Sequence, residues 1–195
     1  EISGNELLQE SKSSVGFYGI HLEETRGDRI CANRIMASRG YYGFYFSSVT
    51  PLQERLLVSN NEIKMQVNAS NCGIYIYNHC HHLSFFHNSI LLTGNGMGKC
   101  LYTPFVLQHI SLKNNHLVNL GGNSQSYQSQ VLYFYAGNGA TGWDMDYNAY
   151  YNVGSNLHYA GGQVASLADW QAISGKDRQS VCCRPNYSDR ETSLL

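Results

Sequence analysis

An asparagine returns along this chain in one fixed local frame, with an apolar residue three positions before it and another two after it. The copies are Ile30-Cys31-Ala32-Asn33-Arg34-Ile35, Val58-Ser59-Asn60-Asn61-Glu62-Ile63, Phe85-Phe86-His87-Asn88-Ser89-Ile90, Leu112-Lys113-Asn114-Asn115-His116-Leu117 and Met145-Asp146-Tyr147-Asn148-Ala149-Tyr150. Successive asparagines are 28, 27, 27 and 33 residues apart. A period of this length signals a solenoid. Because strand-like segments flank the asparagine on both sides, the solenoid predicted is an all-β parallel β-helix. At such a bend an Asn side chain bonds backbone groups and tolerates left-handed dihedrals. Stacked one per coil at the ~4.8 Å strand spacing, the amides can also bond one another as a ladder.

A second pattern precedes each asparagine. Gly19-Ile20-His21-Leu22, Gly43-Phe44-Tyr45-Phe46, Gly73-Ile74-Tyr75-Ile76, Cys100-Leu101-Tyr102-Thr103 and Val131-Leu132-Tyr133-Phe134 all alternate. Alternation marks a strand with one buried face. Ile20, Phe44, Ile74, Leu101 and Leu132 should therefore stack inward, as should Leu22, Phe46, Ile76 and Phe134, with Thr103 the odd member.

The ends read differently. Residues 1–15 carry no strong repeat and no obvious cap, and are taken as a lead-in or partial coil. Residues 16–165 form the β-helix, and 166–195 a C-terminal helix and cap. Ser166 to Ile173 predicts a short amphipathic helix with Leu167, Trp170 and Ile173 on one face. Ser166 and Asp169 have capping-box spacing, and Gly175 suits the stop. Trp170 is expected to lid the last coil. The chain starts at Glu1 without Met or a signal peptide, which suggests a processed or trimmed form.

The asparagine-turn repeat over residues 16–160 resembles the right-handed parallel β-helices of the pectin-lyase-like superfamily. The 166–187 stretch, following Asp146-Tyr147-Asn148-Ala149-Tyr150, resembles the closing segment of secreted bacterial β-helix proteins linked to polysaccharide use. The resemblance implies a right-handed, single-stranded solenoid of about five coils. It also implies a secreted, periplasmic or cell-surface location, and a polysaccharide or oligosaccharide partner held on the face of the first strand of each coil. It names no reaction, since fold does not settle function.

Composition narrows little more. Charged residues are 14% against a usual ~25%, and the formal charge is −1. No global basic field exists to draw nucleic acid, and none is expected as a partner. Nor does any apolar stretch approach the ~20 residues of a membrane span.

On the first-strand face the outward positions are His21 and Glu23, Tyr45 and Ser47, Tyr75 and Tyr77, Tyr102 and Pro104, and Tyr133 and Tyr135. Tyr45, Tyr75, Tyr77, Tyr102, Tyr133 and Tyr135 are the carbohydrate-binding candidates, because tyrosine pairs an apolar ring with a hydroxyl. Aromatic ladders also stabilise sheets unaided. His21, Glu23 and His79 form the best acid/base set available for a hydrolase or lyase. Glycoside hydrolysis usually takes two carboxylates, and only Glu24 and Asp28 accompany Glu23 here. Calcium serves many such proteins, but no acidic triplet supports it and no cofactor or metal is expected.

Weaker signals have plainer accounts. Lys113 aligns with Asp146, near Asp144, and suits a surface ion pair. His79-Cys80-His81-His82 lacks further ligands for zinc and fits a polar turn. Cys72 and Cys100 are expected at equivalent positions one coil apart, as a disulfide or as stacked thiols; Cys182-Cys183 are vicinal. Asn68-Ala69-Ser70 and Asn186-Tyr187-Ser188 fit the glycosylation sequon. The expected function is cleavage of a bound glycan, with a non-catalytic glycan-binding or adhesion module of the same fold as the alternative. A structural spacer is the role left if no glycan binds.

Overall fold

The computed structural model describes residues 1–9, 16–27, 29–38, 40–51, 55–68, 70–122, 129–135 and 140–185. Asp28, Ala69 and the sequon at 186–188 lie outside the described residues. The chain winds into a parallel β-solenoid of about five turns with three sheets. The first sheet stacks Tyr18–Glu23, Tyr42–Ser47, Ser70–Ile76, Met97–Thr103, Gln130–Phe134 and His158–Ala160, with Gln163–Val164 added antiparallel. The second runs from Ile2–Ser3 to Trp143–Asp146, and the third from Glu6–Gln9 to Val181–Cys182. The asparagine turn joins the second sheet to the third.

Register explains the buried pattern. Ile20, Phe44, Ile74, Leu101 and Leu132 are successive partners, as the alternation predicts. The column continues to His158. Third-sheet partners Leu7, Ile35, Ile63, Ile90, Leu117 and Tyr150 form a parallel column, and most members are fully buried.

The ladder is present and longer than the repeat suggests. Each side-chain amide from Asn33 to Asn115 donates to the Oδ1 of the next, at 3.0, 2.9, 3.0 and 3.1 Å. The backbone N–H of the same residue donates to the same oxygen. Asn5 adds a rung at the start, donating to Asn33 at 2.9 Å. Thus residues 1–9 supply second- and third-sheet strands. At the other end Asn148 donates to the carboxylate of Asp177. That carboxylate also receives the Tyr150 hydroxyl, the Trp170 indole N–H and the Ser180 hydroxyl, so the fully buried acid terminates the ladder with every donor met.

The left-handed residue at the bend is not the ladder asparagine but its predecessor. Ala32, Asn60, His87, Asn114 and Tyr147 have φ of 54, 53, 55, 55 and 59°, and Gly4 has 66°. Each of Ala32, Asn60, His87 and Asn114 uses its N–H on a carbonyl of the next coil. An L-residue pays about 1–2 kcal/mol for that conformation. Ala32 is exposed, so Ala32→Gly should relieve more than the ~0.5–1 kcal/mol of glycine's entropy. Expected is a net gain of about 0.5–1 kcal/mol, read as a rise of a few degrees in Tm; a fall would refute the bend assignment.

The C-terminal helix is Leu167–Ser174, with a reciprocal Ser166/Asp169 capping box and Gly175 left-handed at φ 68°. Trp170 is 1% exposed and stacks on Phe134 at 5.8 Å, lidding the last coil. Ile173, expected beside it, is 65% exposed. The last coil offers the helix cover for one large side chain, and Leu167 packs only partly. The cysteine alignment is also corrected. Cys72 pairs in register with Lys99, and Cys100 follows one residue later on the strand. A one-residue offset puts two side chains on opposite faces. All six cysteines are free, and Cys72 and Cys100 are both buried.

Candidate functional site: the aromatic face of the first sheet

Alternation sends the residue between Ile20 and Leu22, and its counterparts, out of the first sheet. His21, Tyr45, Tyr75, Tyr102, Tyr133 and Tyr159 are consecutive register partners, one per coil. Their ring centroids follow at 4.6, 5.3, 5.0, 5.1 and 4.5 Å. Tyr45–Tyr75 and Tyr133–Tyr159 are stacked, while Tyr75–Tyr102 and Tyr102–Tyr133 meet edge to face. Both are favourable aromatic geometries. The result is an unbroken column along the sheet, an exposed His21 followed by five half-buried tyrosine rings.

Beside it lie Tyr18 and Tyr42, register partners whose rings are 5.2 Å apart. Tyr42 leans on Tyr75 at 4.8 Å. Tyr77 stacks on Tyr75 and meets Phe105 edge-on. Tyr135 is 62% exposed at the margin. Packing desolvates the inner phenols. Burial first, and then neighbouring groups, pushes Tyr42 up to about 12 and moves Tyr45, Tyr75, Tyr102 and Tyr133 upward as well. Tyr42, Tyr45, Tyr75, Tyr102 and Tyr133 therefore keep neutral hydroxyls, each able to donate and accept, well into alkaline solution.

The sequence missed Tyr18, Tyr42, Tyr159 and Lys99. Tyr18-Gly19-Ile20-His21 and Tyr42-Gly43-Phe44-Tyr45 share a frame that would have revealed the first two. Their glycines are demanded by packing: a Cβ on Gly43 would lie 2.6 Å from the Gly73 carbonyl oxygen and 2.7 Å from Ile63. Ser47, expected on the outer face, is buried.

The acid/base candidates separate into two places. His21 Nε2 lies 3.7 Å from the Glu23 carboxylate at the first coil. His79 sits exposed in the turn after Ser70–Ile76, two coils further along, with a positive φ of 51°. Among the described residues no ion pair or ring contact links it to His21 or Glu23. Glu24 takes φ of 49° in the turn beyond the first strand.

The remaining clusters are structural in character. Lys113 and Asp146 are register partners, but the ammonium pairs with Asp144 at 2.6 Å. Asp146 instead accepts the backbone N–H groups of Tyr147 and Gln179. In the His79–His82 run, Cys80 points into the core and accepts from Val49 N–H. Desolvation raises that thiol to about 11. His82 instead stacks on His109 at 4.6 Å. Among the described residues no three His, Cys, Asp or Glu converge on a point where a metal ion could sit. A groove of about 720 Å³ lies on the third sheet, lined by Leu8, Met36, Gln66 and Leu120 and away from the tyrosines; among the described residues its lining holds no acid and no histidine. No described helix is long and apolar enough to cross a membrane.

Fold and face together define a parallel β-solenoid with an asparagine ladder inside and an aromatic column outside. Comparison with protein-family models, with curated proteins and with solved structures finds no match to the chain.

Proposed function

We propose that this chain is an extracytoplasmic glycan-binding module, related to the pectin-lyase-like β-helix proteins, which holds an extended polysaccharide along the aromatic face. The observation that carries this reading is the unbroken column from His21 to Tyr159. Mutual stacking covers much of each ring face, leaving ring edges and phenol hydroxyls for a sugar. A comb of neutral hydroxyls at one-coil steps matches an extended chain of sugar hydroxyls and ring oxygens. The asparagine turn and the helix-capped end support the relationship.

Binding without cleavage is favoured over hydrolysis by the carboxylate count. Two carboxyl groups about 5–9.5 Å apart are the usual requirement. Among the described residues Glu23 is the single acid at an outward position of the first-sheet strands. The His21–Glu23 pair is the observation that keeps cleavage as the second reading.

Affinity electrophoresis against a panel of extended neutral and acidic polysaccharides tests both. The wild-type chain should be retarded by at least one member. Tyr75→Ala should weaken retardation about tenfold, the ~1–2 kcal/mol of a ring and its hydroxyl, with circular dichroism unchanged. Tyr102→Phe, which keeps the ring, should lose the smaller hydroxyl share. No retardation by any glycan overturns the proposal. Release of oligosaccharides, abolished by Glu23→Gln, would replace it with the cleaving function.

A further inference from the structure

Lys99 stands in the column of side chains next to the rings. Its register partners are Cys72 on one side and Gln130 on the other. The residue is only 9% exposed, yet its Nζ lies 5.4 Å from the Tyr133 ring centroid and 6.0 Å from that of Tyr102. These are cation–π distances. Among the described residues no Asp or Glu pairs with this ammonium. Residues 123–128 and 136–139, which lie close in sequence to the Gln130–Phe134 strand, contain no acid.

Cys72 does not supply the missing charge. Burial raises its thiol to about 12, so at neutral pH it is uncharged. The same burial lowers the basicity of Lys99. A buried cation is ordinarily paired, because removal from water is costly without a counter-charge. Here π faces alone compensate it among the described groups, in the middle of a surface already argued to receive a ligand. The acid of this face, Glu23, lies at the far end, on the first coil.

We propose that Lys99 is an anion-recognition subsite within the aromatic face, so that the ligand is a glycan bearing acidic groups, one of which seats on the ammonium beside Tyr102 and Tyr133. Carboxylate and sulfate share the required chemistry. The inference rests on the glycan-binding function proposed above and specifies its substrate class. A single cation gives selectivity among glycans and not wholesale attraction of polyanions, which agrees with the overall charge of −1.

The test uses three forms of one polysaccharide: a neutral glucan, its 6-carboxylated derivative and its sulfated derivative. Dissociation constants are measured by calorimetry for the wild-type chain, Lys99→Met and Lys99→Arg. The wild-type chain should bind one anionic form at least about fivefold more tightly than the neutral one, the effect of one partly buried charge pair. Salt at about 0.5 M should shrink that preference. Lys99→Met should abolish the preference while leaving neutral binding, and Lys99→Arg should keep it. The form preferred identifies the acidic group. An unchanged anionic-to-neutral ratio in Lys99→Met, or equal wild-type binding of all three forms, overturns the subsite and leaves glycan binding standing. Failure of every form to bind overturns the subsite, and overturns the glycan-binding function as well only if no glycan of the electrophoresis panel is bound.

Discussion

Asn88→Ala should destabilise the solenoid by about 4 kcal/mol and lower Tm by roughly 10 °C. Asn88 is 1% exposed and all its polar capacity is used. Its Oδ1 accepts both the side-chain and the backbone N–H of Asn61, and its amide donates to Asn115 Oδ1 and the Val58 carbonyl. Alanine leaves two buried Asn61 donors and one carbonyl without partners, and each orphan costs about 1–3 kcal/mol. Asn88→Asp should be no better, because a carboxylate facing two oxygen acceptors replaces both donated bonds with repulsion. Asn5→Ala, at the exposed first rung, should cost about 1 kcal/mol or less. Chemical denaturation of the three variants measures the gradient. Equal losses at Asn5 and Asn88, or less than about 1 kcal/mol at Asn88, would mean that the ladder is not a stabilising element.

The ladder was legible because a solenoid maps sequence period directly onto space, so residues a fixed interval apart become neighbours. Asn5 obeys the same frame, with Ile2 before and Leu7 after. It went unread because no alternating first-strand run precedes it to confirm the coil. The inner column was likewise legible to Leu132 and lost at His158, where a polar residue takes an inward position. With His158 went its outward neighbour Tyr159, the last ring of the face.

The errors share a cause: pattern gives position along the coil but not which groups finally meet. Cys72 and Cys100 are 28 apart where the local register step is 27, and that one residue reverses the face. Lys113 aligned with Asp146 yet bonds Asp144, since a long side chain reaches diagonally. Lys99 carried no motif at all. Its significance comes from the two rings beneath its ammonium and the lack of a paired acid among the described residues, which no periodicity encodes.

His158 should make the cap acid-sensitive. Its side chain is completely buried, and among the described residues neither ring nitrogen makes a well-formed hydrogen bond, the Leu157 backbone opposing the desolvation only in part. Tyr150 meets it edge-on from the third sheet at 5.0 Å, Trp170 from the helix at 5.4 Å, and Leu132 precedes it in its own column. The nearest acid on this network is Asp177, held one step away by the Tyr150 hydroxyl and the Trp170 indole. Desolvation dominates and pushes the imidazole from 6.5 down to about 3. The sign follows from linkage: above about pH 6.5 the ring is neutral folded and unfolded, and nothing is lost. Between about 6.5 and 3 only the unfolded chain takes the proton, so stability falls at about 1.4 kcal/mol per pH unit. The loss should be roughly 3 kcal/mol by pH 4.5 and about 5 kcal/mol at most. Smaller downward shifts at His82 and His116 act in the same direction. His158→Phe keeps a ring against Tyr150 and removes the titration, and His158→Leu continues the aliphatic column; both should flatten the profile. Melting temperatures of the wild-type chain and both variants at pH 7 and 4.5 decide the matter. The wild-type protein should lose roughly 5–10 °C more than either variant on acidification. Parallel losses in all three would show that other groups, and not this buried imidazole, govern acid stability.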